Sequence, residues 1–130
     1  RSPFYPGTGA AHERGEGAGF GTTVNVPLPS QTPRQQYLDT FRQVIENDCA
    51  AFKPELVLVS AGFDTYERDP LAGLGLWPED FGALTQAVAD LAADTAQGRL
   101  VSALEGGYSL PGLGECVEHH IVGLLAKAKA

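Results

Sequence analysis

Two short apolar runs constrain this chain more than anything else in it: Leu56-Val57-Leu58-Val59 and Leu100-Val101-Ser102-Ala103-Leu104. The first has no polar alternation, so it reads as a strand covered on both faces, the mark of a parallel sheet. Each run stops abruptly, one at Ser60-Ala61-Gly62-Phe63-Asp64 and the other at Glu105-Gly106-Gly107-Tyr108. Between them lies a helical pattern. It opens on Pro78-Glu79-Asp80, with acids where the helix dipole favours them, and turns Phe81, Leu84, Val88, Leu91, Ala92 and Thr95 inward. Gly98 is the expected residue just past its end. Trp77 stands at the N-cap, where Ser or Thr would serve better, so a weakly capped start is expected.

The flanking segments extend the alternation. Thr23-Val24-Asn25-Val26 is a β-branched run stopped by Pro27 and reads as a strand. Thr32 as N-cap, Pro33 at the first helical position and Gln35 closing a capping box predict a helix start. Tyr37, Leu38, Phe41, Val44, Ile45, Cys49 and Phe52 then recur as one buried stripe, ended by Lys53-Pro54. A last helix is expected from about Leu113 to Ala126, with Val117, Ile121, Leu124 and Leu125 inward. Strand, helix, strand, helix, strand, helix points to βαβ units, an α/β fold with a mostly parallel sheet and no internal domain boundary over residues 1–130. Residues 1–22 read as a glycine-rich loop. Glycines 15, 17, 19 and 21 do not fit the G-x-G-x-x-G spacing of a dinucleotide cradle. A generic nucleotide-binding α/β domain is therefore an alternative without its phosphate loop.

Composition narrows the function classes. The 130 residues are 43% hydrophobic and carry a formal charge of −7. That charge argues against a sequence-independent grip on nucleic acid. The apolar runs are too short for a membrane-spanning helix. Cys49 and Cys116 lie far apart, which fits neither a disulfide scaffold nor a thiolate zinc site. Ser2-Pro3-Phe4-Tyr5-Pro6 is no signal peptide, and a cytoplasmic location is the expectation. Arg1 is not a start methionine, so the chain reads as the continuation of a longer one.

In open α/β sheets the ligand lies outside the carboxyl ends of the strands. That rule selects Ser60 to Leu71 and Glu105 to Tyr108. Gly62 allows a tight turn before Asp64, and Gly106-Gly107 does the same before Tyr108 while letting a substrate approach the main chain. If the two strands are neighbours, a carboxylate and a phenol face one crevice. A carboxylate can ligate a divalent metal, and a phenol can hydrogen-bond an oxyanion beside it. The plainer alternatives are a capping or ion-paired Asp64 and a Tyr108 that only packs.

The same residues carry a resemblance. Val57 to Asp64, continuing to Asp69-Pro70-Leu71, resembles the third metal-ligand segment of the histone deacetylase and acetylpolyamine amidohydrolase superfamily. Leu104-Glu105-Gly106-Gly107-Tyr108 is similar to that family's catalytic tyrosine segment. Phe4-Tyr5-Pro6-Gly7-Thr8-Gly9 and Thr23 to Pro29 resemble its loop and strand between the active-site halves. The four motifs stand in order over nearly the whole chain, closest to class II-like and bacterial acetoin-utilisation-type members. The resemblance implies a three-layer arginase–deacetylase α/β fold, of which this chain is the C-terminal portion. It further implies that Asp64 binds a catalytic zinc and that Tyr108 polarises the substrate carbonyl. Tyr5 and Leu71 fall at walls of the acyl-lysine tunnel, and Gly106 and Gly107 line its floor. The implied substrates are acetylated lysine or acetylated amines, and the implied partner is the N-terminal remainder of the same domain.

Departures from the family pattern accompany it. The other zinc ligands and the family's tandem histidine pair are expected upstream of Arg1, so these residues alone are expected to be inactive. A non-catalytic binding module, or a decayed deacetylase half, is the competing reading. His119-His120 lies in the last helix, where neighbours point different ways. His120 is expected to pack and His119 to be solvated, and His12 to face solvent from the glycine loop. Tyr66 and Glu67 stand where relatives often carry His and a polar residue, which predicts an altered rim. Half a sheet would also leave an open edge and an exposed apolar face.

Overall fold

The structure, a computed structural model, describes residues 7–127. Tyr5, with Phe4 and Pro6, lies outside the described residues. The elements run α1 (Arg34–Val44), a π-helical segment (Ile45–Cys49), α2 (Ala50–Phe52), β1 (Val57–Ala61), α3 (Pro78–Ala96), β2 (Leu100–Leu104) and α4 (Leu110–Lys127). A short 3-10 turn, Gly17–Gly19, precedes them. β1 and β2 are parallel neighbours, with Val57 opposite Leu100 and Ala61 opposite Leu104. Both apolar runs are therefore strands of one parallel sheet, joined through α3, as the alternation predicts.

One face of that pair is covered. Val59, Ala61, Leu100 and Ser102 turn toward the helices, and beneath the strand ends lie Phe63, Tyr66, Leu76, Phe81 and Cys116, all buried. Phe63 and Phe81 stack tilted at 5.2 Å between ring centres. α3 and α4 approach closely because glycine marks the contact. A Cβ on Gly123 would lie 3.0 Å from Thr85 Cβ, and one on Gly82 would lie 3.4 Å from the His119 carbonyl oxygen. The opposite face of the strands is open: Leu58 is 70% exposed and Val101, its neighbour in register, 56%. Burial on both faces is thus not met by the described residues, whereas an exposed apolar face is. A continuous apolar strand loses its hydrophobic stabilisation on whichever face nothing covers.

Several local expectations change. Thr23–Val26 forms no strand. Val24 and Val26 are exposed, and the segment is held instead by the Asn25 amide, which donates to the carbonyls of Ala10 and Glu13 at 3.3 and 2.8 Å. A strand needs a neighbour to accept its ladder bonds, and none lies beside it among the described residues. Thr32 does not cap α1; its hydroxyl donates to the Pro29 carbonyl at 2.7 Å and the helix begins at Arg34. The start of α3 is well held despite Trp77. Asp80 reaches back to accept from the Trp77 amide at 2.8 Å and pairs with Arg34 through two bonds of 2.6 Å, while the Arg34 guanidinium stacks 4.0 Å over the Trp77 ring. α4 starts three residues early, at Leu110, because Pro111 fits a first helical turn. Other expectations hold: Lys53 ends the first helical stretch in a left-handed conformation (φ 54°), and Gly98 follows α3 with φ 75°. Phe52, assigned to the buried stripe, is exposed, as are Ile121 and Leu125, which are expected to face inward from α4.

Candidate active site

The carboxyl ends of β1 and β2 meet. The ladder continues past both strands: the Glu105 amide donates to the Ala61 carbonyl at 2.9 Å and the Phe63 amide to the Gly106 carbonyl at 3.0 Å. This lays Gly106 directly on the Asp64 carboxylate. A Cβ at Gly106 would sit 2.7 Å from Asp64 Oδ2 and 3.0 Å from its Cγ, so no larger residue fits there without moving the acid. Gly107 is as constrained. Its φ is 129°, outside the range side chains favour, and a Cβ would lie 2.8 Å from Leu113 Cδ1 and 3.0 Å from Phe63 Cβ. The two glycines that sequence assigns to the floor are thus the positions where the second strand tip closes on the first.

Asp64 is half-buried at this junction. A Cβ at Gly62 would also meet its carboxylate, 3.2 Å from Oδ1, and its charge acts on the phenol of Tyr37 on α1. Burial raises the Tyr37 pKa, the Asp64 charge raises it further, and a hydrogen bond with the Thr65 side chain partly offsets both. Tyr37, which sequence placed only in a packing stripe, is therefore a polar group supporting the Asp64 turn. Tyr108 follows Gly107 and is 54% exposed among the described residues.

The loop from Gly62 to Trp77 is built rather than slack. Its two ends bridge, with the Leu76 amide donating to the Thr65 carbonyl at 3.1 Å and the Glu67 amide to the Leu76 carbonyl at 2.8 Å. Tyr66 is buried, its ring lying against Gly112 of α4, so it is a core anchor and not part of a rim. Asp69, only 8% exposed, accepts from the Leu71 amide through Oδ1 at 2.9 Å and from the Tyr108 amide through Oδ2 at 2.8 Å. Leu71 itself is exposed at the loop surface. Asp69 is not among the site residues the sequence marks, and its local signal is the Asp-Pro turn.

The paired histidines separate as expected in type, with one correction: His119 is half-buried, because Gly82 lets α3 approach its backbone. His120 lies edge-on to Phe63, 5.6 Å between ring centres. The Thr85 hydroxyl donates to the Phe81 carbonyl at 2.6 Å, so His120 Nδ1–H donates to Thr85 Oγ1 at 2.5 Å. Nε2 is then left to accept from the Ser102 hydroxyl at 2.8 Å, a tautomer assigned from this network. Burial lowers the His120 pKa. Both ring nitrogens are occupied by core hydroxyls, which is a packing role. A cavity of about 300 Å³ beneath β1 is lined by Phe41, Phe63, Thr65, Leu84, His120 and Asp64, among others.

Among the described residues no three His, Cys, Asp or Glu side chains converge as a metal site. Asp64 nevertheless suits one ligand position of a zinc ion. Its carboxylate takes no hydrogen bond or ion pair from the described residues, and the absent Gly106 Cβ leaves space beside Oδ2. A carboxylate is a normal zinc donor.

The sequence pattern of the histone deacetylase domain matches residues 1–124, and the chain belongs to that family. It is 43% identical over 113 residues to histone deacetylase 10, chloroplastic, of Oryza sativa subsp. japonica, covering 87% of this chain and 26% of that one. It is 40% identical over 110 residues to a probable deacetylase of Archaeoglobus fulgidus, covering 85% and 31%. The solved HDA15 HD domain superposes with a TM-score of 0.86 at 36% identity, covering 95% of this chain and 34% of that one. The chain thus spans about a quarter to a third of these relatives, and its fold is that part of the arginase–deacetylase α/β fold.

Proposed function

We propose that this chain is the C-terminal portion of a zinc-dependent amidohydrolase that removes acetyl groups from acetyl-lysine or acetylated amines. The observation that carries the reading is the closure of Gly106 on Asp64. It sets a carboxylate and, two residues further along, an exposed phenol at adjoining strand tips. Asp64 supplies one oxygen ligand. A catalytic zinc uses about three protein ligands, so Asp64 needs partners that do not converge on it among the described residues. When bound, zinc polarises an acyl carbonyl and lowers the pKa of its water. The Tyr108 hydroxyl donates a hydrogen bond to the acyl oxygen as negative charge develops there. Leu71 and Tyr5 serve as tunnel walls, and Gly106 and Gly107 leave room for the acyl group. Products are acetate and a free amine.

The rest of the domain covers the open face at Leu58 and Val101 and pairs the free strand edges, which is why the 130 residues alone are expected to turn nothing over. Family membership favours this reading over a generic nucleotide-binding domain.

The test is a pair of substitutions in the full-length protein. Tyr108→Phe lowers kcat about 10²–10³-fold, the size of one lost oxyanion donor, with zinc content unchanged. Asp64→Asn lowers zinc content measured by elemental analysis. Near-normal turnover of the first variant removes Tyr108 from the chemistry, and full zinc in the second removes Asp64 from the ligand set.

A further inference from the structure

We infer that Asp69 is a positioning residue for Tyr108, holding that side chain and the Leu71 wall in one fixed relation. This rests on the reading of Tyr108 given above. Tyr108 is 54% exposed, so among the described residues packing does not set its direction and its backbone does. Two anchors fix that backbone upstream and downstream. Gly107 is locked between Phe63 and Leu113, and α4 begins at Leu110, with the Leu113 amide donating to the Ser109 carbonyl at 2.7 Å. Between them, the only bond to the amide of Tyr108 among the described residues is that to Asp69 Oδ2, at 2.8 Å.

Asp69 is more than a turn residue. Its bond to the Leu71 amide is a local Asx turn, which any Asp-Pro-x sequence can make. Its second oxygen crosses 39 residues of chain to reach Tyr108. The side chain is 8% exposed and no Lys or Arg pairs with it among the described residues, so backbone amides are what stabilise a nearly buried charge. Its own amide donates to the Tyr66 carbonyl at 3.0 Å, and the Tyr66 ring is buried against α4. The clamp is therefore referenced to the core. Each carboxylate oxygen has its own amide to accept. An asparagine has one acceptor oxygen and must release one of the two segments.

The experiment is a double-mutant cycle in the full-length, metal-loaded protein, with kcat and KM measured on a short acetyl-lysine peptide. Asp69→Asn lowers kcat by roughly tenfold to a hundredfold, the scale of a small misplacement at a reacting centre, and changes KM less. In a Tyr108→Phe background, where no hydroxyl is left to misplace, the same substitution costs about twofold or less. Asp69→Glu, which keeps both acceptors one methylene further out, restores part of kcat. If Asp69→Asn does not fold, Asp69→Glu carries the same cycle. Equal losses with and without the Tyr108 hydroxyl make Asp69 merely structural and overturn the inference, as does an unchanged kcat. A Tyr108→Phe variant with normal turnover overturns the assignment of Tyr108 itself. A damaging Tyr108→Phe with an additive cycle overturns the role of Asp69 alone.

Discussion

Residues 7–31 and residues 62–77 look alike as sequence: both carry several glycines, at least one proline and many polar residues, and neither has a helical period. In the structure they differ completely. No residue from 7 to 31 is buried, and the segment is tied mainly to itself, through Asn25 to Ala10 and Glu13 and through Glu13 to the amides of Gly9 and Ala10. From 62 to 77, Phe63, Tyr66, Asp69 and Leu76 are all buried, and the loop is bonded to β2's extension at Gly106 and Tyr108. A loop becomes a scaffold for chemistry when large side chains drop into the core at intervals and a buried carboxylate gathers distant amides. Glycine content does not distinguish the two cases.

The comparison can be broken by stability measurements on the full-length protein. The largest effect is expected at Leu76, which is fully buried. Leu76→Ala costs about 2–5 kcal/mol by urea unfolding, through lost apolar contact and the cavity left behind. A loss near zero would mean the 62–77 loop is no better anchored than the first one.

An intermediate effect is expected from pH. His120 backs Phe63, and burial holds its folded pKa below the ordinary 6.5. The unfolded chain therefore takes up its proton first as pH falls. The contribution is fully present above about 6.5 and is lost between there and the lower folded pKa. His120→Gln should flatten the fall of Tm over that window, and an identical pH profile in the variant would show that His120 does not titrate differently on folding. Glu13 in the first loop acts on the same acid limb at lower pH: bonds from the Gly9 and Ala10 amides hold its pKa below the usual 4.5, so its effect appears only in stronger acid.

The smallest effect is expected at Gly19, which has an ordinary backbone conformation and only a 3.6 Å contact, to Thr22 Oγ1, awaiting a Cβ. Gly19→Ala changes stability by about 0.5 kcal/mol or less. A loss comparable to that of Leu76→Ala would erase the contrast between the loops.

Much of the fold was legible because it is written locally. The apolar runs at 56–59 and 100–104 became β1 and β2, and the stretch from Pro78 became α3, because period and breakers act over a few residues. Thr23–Val26 has a strand's composition and is not one, since a ladder depends on a neighbour that composition does not supply. Trp77 looked like a poor cap because the compensating pair, Asp80 with Arg34, joins positions 46 residues apart. Tyr66 reads as a rim residue because nothing nearby in sequence shows Gly112 opening a space for its ring. Asp64, Tyr108, Gly106 and Gly107 could be named as site candidates from their places at strand ends. Asp69 and Tyr37 could not, since their partners come from other elements.

By itself, then, the sequence determined β1, β2 and the helices α1, α3 and α4 to within a few residues, that the strands run parallel, and which side chains stand at their carboxyl ends, because backbone preference and hydrophobic period are properties of neighbouring residues. Only the tertiary structure decided that Gly106 closes on Asp64, that one carboxylate holds both Leu71 and Tyr108, and that one sheet face lies open. Each of these is a contact between residues far apart in the chain, fixed by packing the elements against one another rather than by the preferences of any one of them.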